Sequence, residues 1–243
     1  MAPRGELRIE ALADAEAVAR RAAAFIAELA ANAIAERGRF VMALSGGSTP
    51  WQMLRVLAQS QVSWPALHIV QVDERVAPSG DAERNLTHLE QCLRAGAAHP
   101  RIYPMPVEET DLPAAAKRYA EVLEGLAGAP PVLDLVQLGL GADGHTASLV
   151  PGDPVLELTA DDVGITGLYQ GRRRMTLTYP AINRARRILW LVTGKEKAQV
   201  VARFHDADGS LPASGIAREH AVLLTDRAAA EYLPPGAVQN LPA

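Results

Sequence analysis

A repeating alternation of short apolar runs with helical patterns constrains this chain more than any other feature. Runs that read as strands lie at residues 40–44 (FVMAL), 67–72 (LHIVQV), 133–138 (LDLVQL), 188–192 (ILWLV) and 222–224 (VLL), each bounded by turn-forming or charged residues. Helical periodicity at 50–58, 114–126 and 195–205 separates most of them. Continuous apolar strands are those buried on both faces, and a helix between successive strands makes the crossover that a parallel pair needs. The expectation is an α/β fold: a doubly wound, mostly parallel sheet with helices on both faces and right-handed crossovers. At 243 residues it is expected to form a single domain, 1–243. The GLAGAPP stretch at 125–131 reads as a turn too short for a linker, and 152–171 and 206–214 read as surface loops.

Composition excludes several classes. Hydrophobic residues at 49%, charged residues at 21% and a mean hydropathy of +0.02 describe a globular chain, and no stretch approaches a membrane span. The segment 11–38 interleaves charges with alanine, so it reads as an amphipathic helix and lacks the apolar centre of a secretory signal. Cys92 is the one cysteine, which rules out intramolecular disulfides and cysteine-rich zinc sites. It reads as a core residue, and the chain as cytoplasmic. Twenty-four basic residues against twenty-eight acidic ones give a net charge of −4 without a dense Lys/Arg block, so nucleic acid is not an expected partner. An anionic ligand would need a local positive site built from backbone N–H groups and a few cations.

Loops that follow parallel strands converge at the carboxyl edge of the sheet, where open α/β folds bind ligands. Three unusual segments follow strands here. In ALSGGSTP, Gly46 and Gly47 permit a tight turn, Thr49 can cap a helix and Pro50 suits its first position. With the Ser45 and Ser48 hydroxyls this is either a phosphate cradle or a simple capped turn. Asp73-Glu74-Arg75 interrupts an apolar strand at its exit, where Arg75 could hold a phosphate or the charges could simply meet solvent. Asn85, after the acidic loop SGDAER, is a weaker member of this group. In LGLGADGHTASLVPG, glycines flank Asp143 and His145, two residues apart, ahead of a helix expected from Thr146 or Ser148. A histidine with a nearby carboxylate can accept a proton from water near neutrality, so this pair is the candidate chemical centre. Its alternative is a polar turn with a satisfied surface histidine. Lys195 and Lys197 follow Gly194 in the first turn of the next helix, where cations oppose the helix dipole, which favours a ligand duty for one of them.

Taken together, SGGSTP, DER followed by Asn85, LGLGADGHTASLVPG and TLTYPAINRARRILWLVTGKEKA resemble the 6-phosphogluconolactonase family in order and spacing over nearly the whole chain. The resemblance implies a Rossmann-like fold and hydrolysis of 6-phospho-D-glucono-1,5-lactone to 6-phosphogluconate in the oxidative pentose phosphate pathway, without metal or organic cofactor. It implies His145 as the general base on water, with Asp143 orienting it. The phosphate would fall to Ser45, Gly46, Gly47, Ser48, Thr49, Arg75 and Lys197, with Arg174 a further cation and Asp73 and Asn85 as substrate neighbours. Backbone N–H groups around 141–144 are candidates for the oxyanion. The expected partner is a small sugar phosphate, with neither nucleic acid nor membrane, and the expected state a monomer or weak homodimer. The chain departs from the family where the usual Ser-Asn pair reads Arg84-Asn85, which leaves open a role for Arg84 at the sugar, and in the less typical PASGIAREHAVLLTD. The related glucosamine-6-phosphate deaminase/isomerase is the nearest alternative. That family carries an acid soon after the histidine, whereas residues 146–152 here hold none; Asp73 alone could serve as a base. A sugar-phosphate sensor without turnover is the second.

Overall fold

The computed structural model describes residues 7–94 and 99–239. In chain order its elements are β1 (Arg8–Leu12), α1 (Ala15–Arg37), β2 (Phe40–Leu44), α2 (Ser48–Leu57), β3 (Leu67–Gln71), β4 (Asp73–Arg75), α3 (Asn85–Arg94), β5 (Arg101–Tyr103), α4 (Leu112–Ala127), β6 (Leu135–Leu138), β7 (Val163–Ile165), β8 (Arg174–Leu177), α5 (Tyr179–Asn183), β9 (Ile188–Val192), α6 (Ala198–His205) and β10 (Ala221–Asp226), with short 3-10 turns between some of them.

Seven strands form one sheet in the order β1-β10-β9-β6-β2-β3-β5, and every neighbouring pair is parallel. The expected doubly wound α/β domain is therefore present. β2, β3, β6 and β9 are buried along their whole length, as expected of runs that are apolar but for His68, Gln71 and Gln137. Helices cover both faces. On one, α1 buries Val18, Ala22, Ile26, Ala30 and Ala33 at helical spacing against the sheet and α2. Asp14 caps α1 by accepting from Ala17 N at 2.8 Å, and Gly38 ends it in the left-handed conformation (φ 73°). On the other face α4 buries Ala115, Tyr119 and Leu123, and Phe204 of α6 lies against Trp190 with ring centroids 4.6 Å apart. Cys92 is buried in α3, as expected of a core residue.

Several local expectations are corrected. Asp73-Glu74-Arg75 is not a solvated exit loop but strand β4, which pairs antiparallel with β8; β7 completes this second, three-stranded sheet. The 152–171 stretch contains a 3-10 turn (Pro154–Glu157) and β7, and 206–214 runs into a 3-10 turn (Pro212–Gly215). No helix starts at Thr146 or Ser148. Thr146 and Leu149 form an isolated bridge, Ala147 is left-handed (φ 53°), and Gly152 (φ 75°) follows Pro151, so the backbone turns instead of winding. The α2 helix begins one residue before the expected cap. Gly47 (φ 132°) stands at the N-cap with no side-chain bond, and the Thr49 hydroxyl meets that of Thr193 at 2.7 Å. Pro50 still falls in the first turn, where no backbone N–H partner is lost. Lys195 and Lys197 occupy a 3-10 turn (Lys195–Lys197) that leads into α6.

The second sheet carries charge inward because partners await it. Glu74 is fully buried and accepts from Gln71 Nε2, Arg75 N and Asn85 N at 2.8 Å and from Leu86 N at 2.9 Å. Arg84 Nε lies 3.1 Å from the same carboxylate. One carboxylate thus joins β4 to the start of α3. Glu74→Ala strands four donors and a buried guanidinium, and is expected to cost about 3–5 kcal/mol of stability. At roughly 2–4 °C per kcal/mol this lowers Tm by about 6–20 °C, to be read by thermal unfolding. A Tm unchanged in Glu74→Ala would refute this role.

Candidate active site

The loops after β2, β3, β6 and β9, with β8, enclose a cleft of about 250 Å³ at the carboxyl edge of the sheet. Ser45, Gly46, Gly47, Ser48, Thr49, Asp73, Arg75, Asn85, Arg174, Lys197 and His145 all line it, so the residues singled out in sequence are brought together. Asp143 stands behind His145.

The glycine loop is held from below. Ser45 N and Oγ donate to Gln137 Oε1 and O at 3.2 and 3.0 Å. A Cβ on Gly46 would fall 2.0 Å from Asn85 Oδ1, so only glycine lets the loop approach α3. Asn85 Nδ2 in turn donates to Asp73 O at 3.0 Å, and its Oδ1 accepts from Arg75 Nη1 at 2.8 Å. The Asp73 carboxylate accepts from the Ser148 hydroxyl at 2.6 Å. The first turn of α2 opens towards this cleft with its unpaired backbone N–H groups, a setting that favours anions.

Three cations meet there. Arg75 also donates to Glu83 O at 2.7 Å, Arg174 donates to Gln170 Oε1 at 3.1 Å, and Lys197 Nζ donates to Leu140 O at 2.9 Å. The Nε groups of Arg75 and Arg174 are buried without a partner, so both guanidinia keep donor capacity in reserve. Burial lowers the Arg174 pKa, the nearby Asp73 opposes that, and Arg75 adds to it. Lys195 instead points outward, 77% exposed and 3.7 Å from Glu231, so of the two lysines it is Lys197, the one the resemblance implied, that lines the cleft. Arg84 is not at the sugar end: it is buried, donates to Ala77 O at 3.0 Å and pairs with Glu74 and Glu108.

The histidine turn is built by glycines. Gly144 (φ 83°) permits the reversal that sets Asp143 and His145 on one side, and Gly141 N donates to His145 O at 2.8 Å. Asp143 Oδ1 lies 2.6 Å from His145 Nδ1, and Oδ2 accepts from the Tyr169 hydroxyl at 2.9 Å. Burial opposes ionisation of Asp143, but the hydrogen bonds from His145 and Tyr169 outweigh it and hold the carboxyl below the ordinary range. An ionised carboxylate only accepts, so Nδ1 is the donor and Nε2 keeps its lone pair for the cleft. Because the folded-state value is the lower one, the pair favours folding at neutral pH, and this contribution fades as pH falls towards that lowered value. Gly141 N and Gly144 N are both bonded within the turn, the latter to Gly141 O at 2.9 Å. These two of the expected oxyanion donors are therefore occupied.

Sequence reasoning missed Tyr169, Thr193 and Glu196. Thr193 and Glu196 line the cleft, flanking Gly194, and Tyr169 follows β7 on a hairpin that no motif marks. Among the described residues no three His, Cys, Asp or Glu side chains converge to hold a metal ion, and no helix is long and apolar enough to cross a membrane.

Residues 13–225 match the family model for glucosamine-6-phosphate isomerases/6-phosphogluconolactonase. The chain is 34% identical over 238 residues to 6-phosphogluconolactonase of Synechocystis, covering 94% of this chain and 99% of the relative. It is 38% identical over 218 residues to that of Mycobacterium tuberculosis, covering 83% and 88%. The structure of 6-phosphogluconolactonase from Trypanosoma brucei superposes with a TM-score of 0.84 at 26% identity, over 95% of this chain and all of that one. A sheet of this order, a histidine turn at its carboxyl edge and a match along most of the chain agree: the chain belongs to the glucosamine-6-phosphate isomerase/6-phosphogluconolactonase family.

Proposed function

We propose that this chain hydrolyses 6-phospho-D-glucono-1,5-lactone to 6-phosphogluconate, the reaction named for its relatives, with residues 1–243 acting as one catalytic unit. The observation that carries the reading is the His145 ring, tied at Nδ1 to Asp143 and facing a cleft that also holds Arg75, Arg174 and Lys197. His145 Nε2 takes a proton from water as its oxygen attacks the lactone carbonyl. The tetrahedral oxyanion then expels the ring oxygen, which receives that proton back from the imidazolium, and the new carboxylic acid ionises. Asp143 keeps the ring in the required tautomer and steadies its charged form.

Arg75, Arg174 and Lys197, with the Ser45–Thr49 loop at the start of α2, bind the phosphate, and Asp73 and Asn85 face the sugar. A charge-bearing cleft in a chain of net charge −4 suits a small anion. The reaction class and the lone buried cysteine favour a cytoplasmic enzyme, and we take its active form to be a monomer or weak homodimer.

The test is to supply purified protein with fresh 6-phosphogluconolactone and, separately, with glucosamine 6-phosphate. Acceleration of acid release over spontaneous hydrolysis, with no ammonia from the amino sugar, is the expected result. Ammonia release would instead favour a deaminase with Asp73 as base, and ligand-induced thermal stabilisation without either reaction would favour a sensor. Lys197→Ala is expected to raise KM about tenfold for the phosphorylated lactone, with a smaller change in kcat. The same substitution should leave the KM for unphosphorylated gluconolactone within twofold. An unchanged KM with the phosphorylated substrate would remove Lys197 from the phosphate site.

A further inference from the structure

Tyr169 sits where the base and the proposed phosphate end meet. It opens a two-residue hairpin turn between β7 and β8, in which Tyr169 N donates to Arg172 O at 3.0 Å and Arg172 N to Tyr169 O at 3.2 Å. Both central residues, Gln170 (φ 50°) and Gly171 (φ 80°), are left-handed, the conformation whose twist matches a tight antiparallel hairpin. Arg172 ties the same turn to Asp81 at 3.2 Å and to Glu83. Tyr169 is thus presented from a braced turn.

Its side chain touches both halves of the site. The hydroxyl donates to Asp143 Oδ2 at 2.9 Å and lies 3.3 Å from His145 Nδ1, while the ring meets the imidazole edge-on, 5.5 Å between centroids. The opposite contact is Arg174, whose guanidinium carbon lies 4.9 Å from the ring centroid. Burial and the neighbouring Asp143 raise the phenol pKa, so it remains the protonated donor. A carboxylate held at one oxygen can still swing about its terminal torsion, which is broad; held at both, its orientation is fixed.

We propose that Tyr169 is a positioning residue that sets the Asp143–His145 pair and Arg174 relative to one another, so that one side chain aligns the base with a cation of the phosphate site. The inference rests on the lactonase reading for its kinetic consequences. The hydroxyl acts on the base through Asp143, and the ring acts on Arg174. The two parts are separable by substitution. The phenol also draws charge from the carboxylate, which tempers how strongly Asp143 favours the imidazolium. The charged groups sharing the cleft with the His145 ring are Asp73, Arg75, Arg174, Glu196 and Lys197, and Tyr169→Phe removes none of them.

The experiment compares Tyr169→Phe and Tyr169→Ala with wild type in the full-length protein, measuring kcat, KM, the pH profile and the 15N shifts of the His145 ring. Tyr169→Phe is expected to lower kcat roughly 5- to 10-fold with KM within about twofold, and to move the acid limb of kcat to higher pH. Tyr169→Ala is expected to share that kcat loss and to raise KM about 3- to 10-fold for the phosphorylated substrate, through the lost support of Arg174. Wild-type kcat and pH profile in Tyr169→Phe would overturn the proposal, as would equal KM values for the two variants. A wild-type protein inert towards the lactone would fail the lactonase reading alone. In that event an altered His145 ring spectrum in Tyr169→Phe still supports the positioning role, and an unaltered one overturns it.

Discussion

His145→Ala is expected to lower kcat for lactone hydrolysis by about 10²–10⁴-fold while 6-phosphogluconate still binds. The ring is the one group in the cleft with an acceptor nitrogen set by a carboxylate behind it, and its removal leaves water without a base. The side chain is 25% exposed, and its polar partners Asp143 and Tyr169 lie on surface turns outside the sheet, so the fold should persist. Arg75, Arg174 and Lys197 make their contacts without it, through Asn85, Gln170 and Leu140. Loss of kcat with retained product affinity is therefore the signature, to be read from steady-state rates beside a thermal-shift titration with 6-phosphogluconate.

Gly141→Ala should produce a comparable defect without touching any ionisable group. A Cβ at that position would stand 2.0 Å from His145 Nδ1, 2.3 Å from Cε1 and 2.7 Å from Asp143 Oδ1. No neighbour can absorb such an overlap except by moving the imidazole and its carboxylate, since the backbone itself is held by the Gly141 N to His145 O bond at 2.8 Å. Displacing a catalytic group by about 1 Å can cost on the order of 10²-fold, and a loss of that order in kcat is expected. Because the contact is with the flexible end of a half-exposed turn, Tm should fall far less than in Glu74→Ala. Full activity in Gly141→Ala would mean that the ring geometry described above is not the working one.

Much of this architecture was legible because burial on both faces writes itself as predominantly apolar runs. FVMAL, LHIVQ and ILWLV are the strands they promised to be, and the glycine and histidine loops do meet at their carboxyl ends. Periodicity fails where tertiary partners override it. Asp73 and Glu74 are buried strand residues only because Ser148, Gln71 and the first turn of α3 supply hydrogen bonds from up to 75 residues away. Arg174 of β8 is buried in the same way, against Tyr169 and Gln170. Thr146 and Ser148 resemble helix-capping residues, yet Ser148 donates to Asp73 and Thr146 enters a bridge, so the anticipated helix never starts. Arg84 was ambiguous for a related reason: a lone arginine beside Asn85 can face either way, and buried Glu74 decides it.

At the site, residue type and spacing marked the pair Asp143–His145 and part of the cleft lining, and the family resemblance added Arg174, but neither pointed to Thr193, Glu196 or what holds the pair. Tyr169 reaches Asp143 across 26 positions from a hairpin whose sequence, LYQGRR, carries no catalytic pattern. Nor does position in the first helical turn tell Lys195 from Lys197, a choice only the family resemblance made; the two differ in which way a single 3-10 turn aims them.

The central claim is that His145, steadied by Asp143, activates water against a phosphorylated sugar lactone. The most direct test is the initial rate of acid release from fresh 6-phosphogluconolactone, measured at one pH for wild type, for His145→Ala and without protein. The account predicts rapid turnover by wild type and a rate for His145→Ala lower by at least about 10²-fold, with 6-phosphogluconate binding intact in both. Equal rates for the two proteins would contradict it.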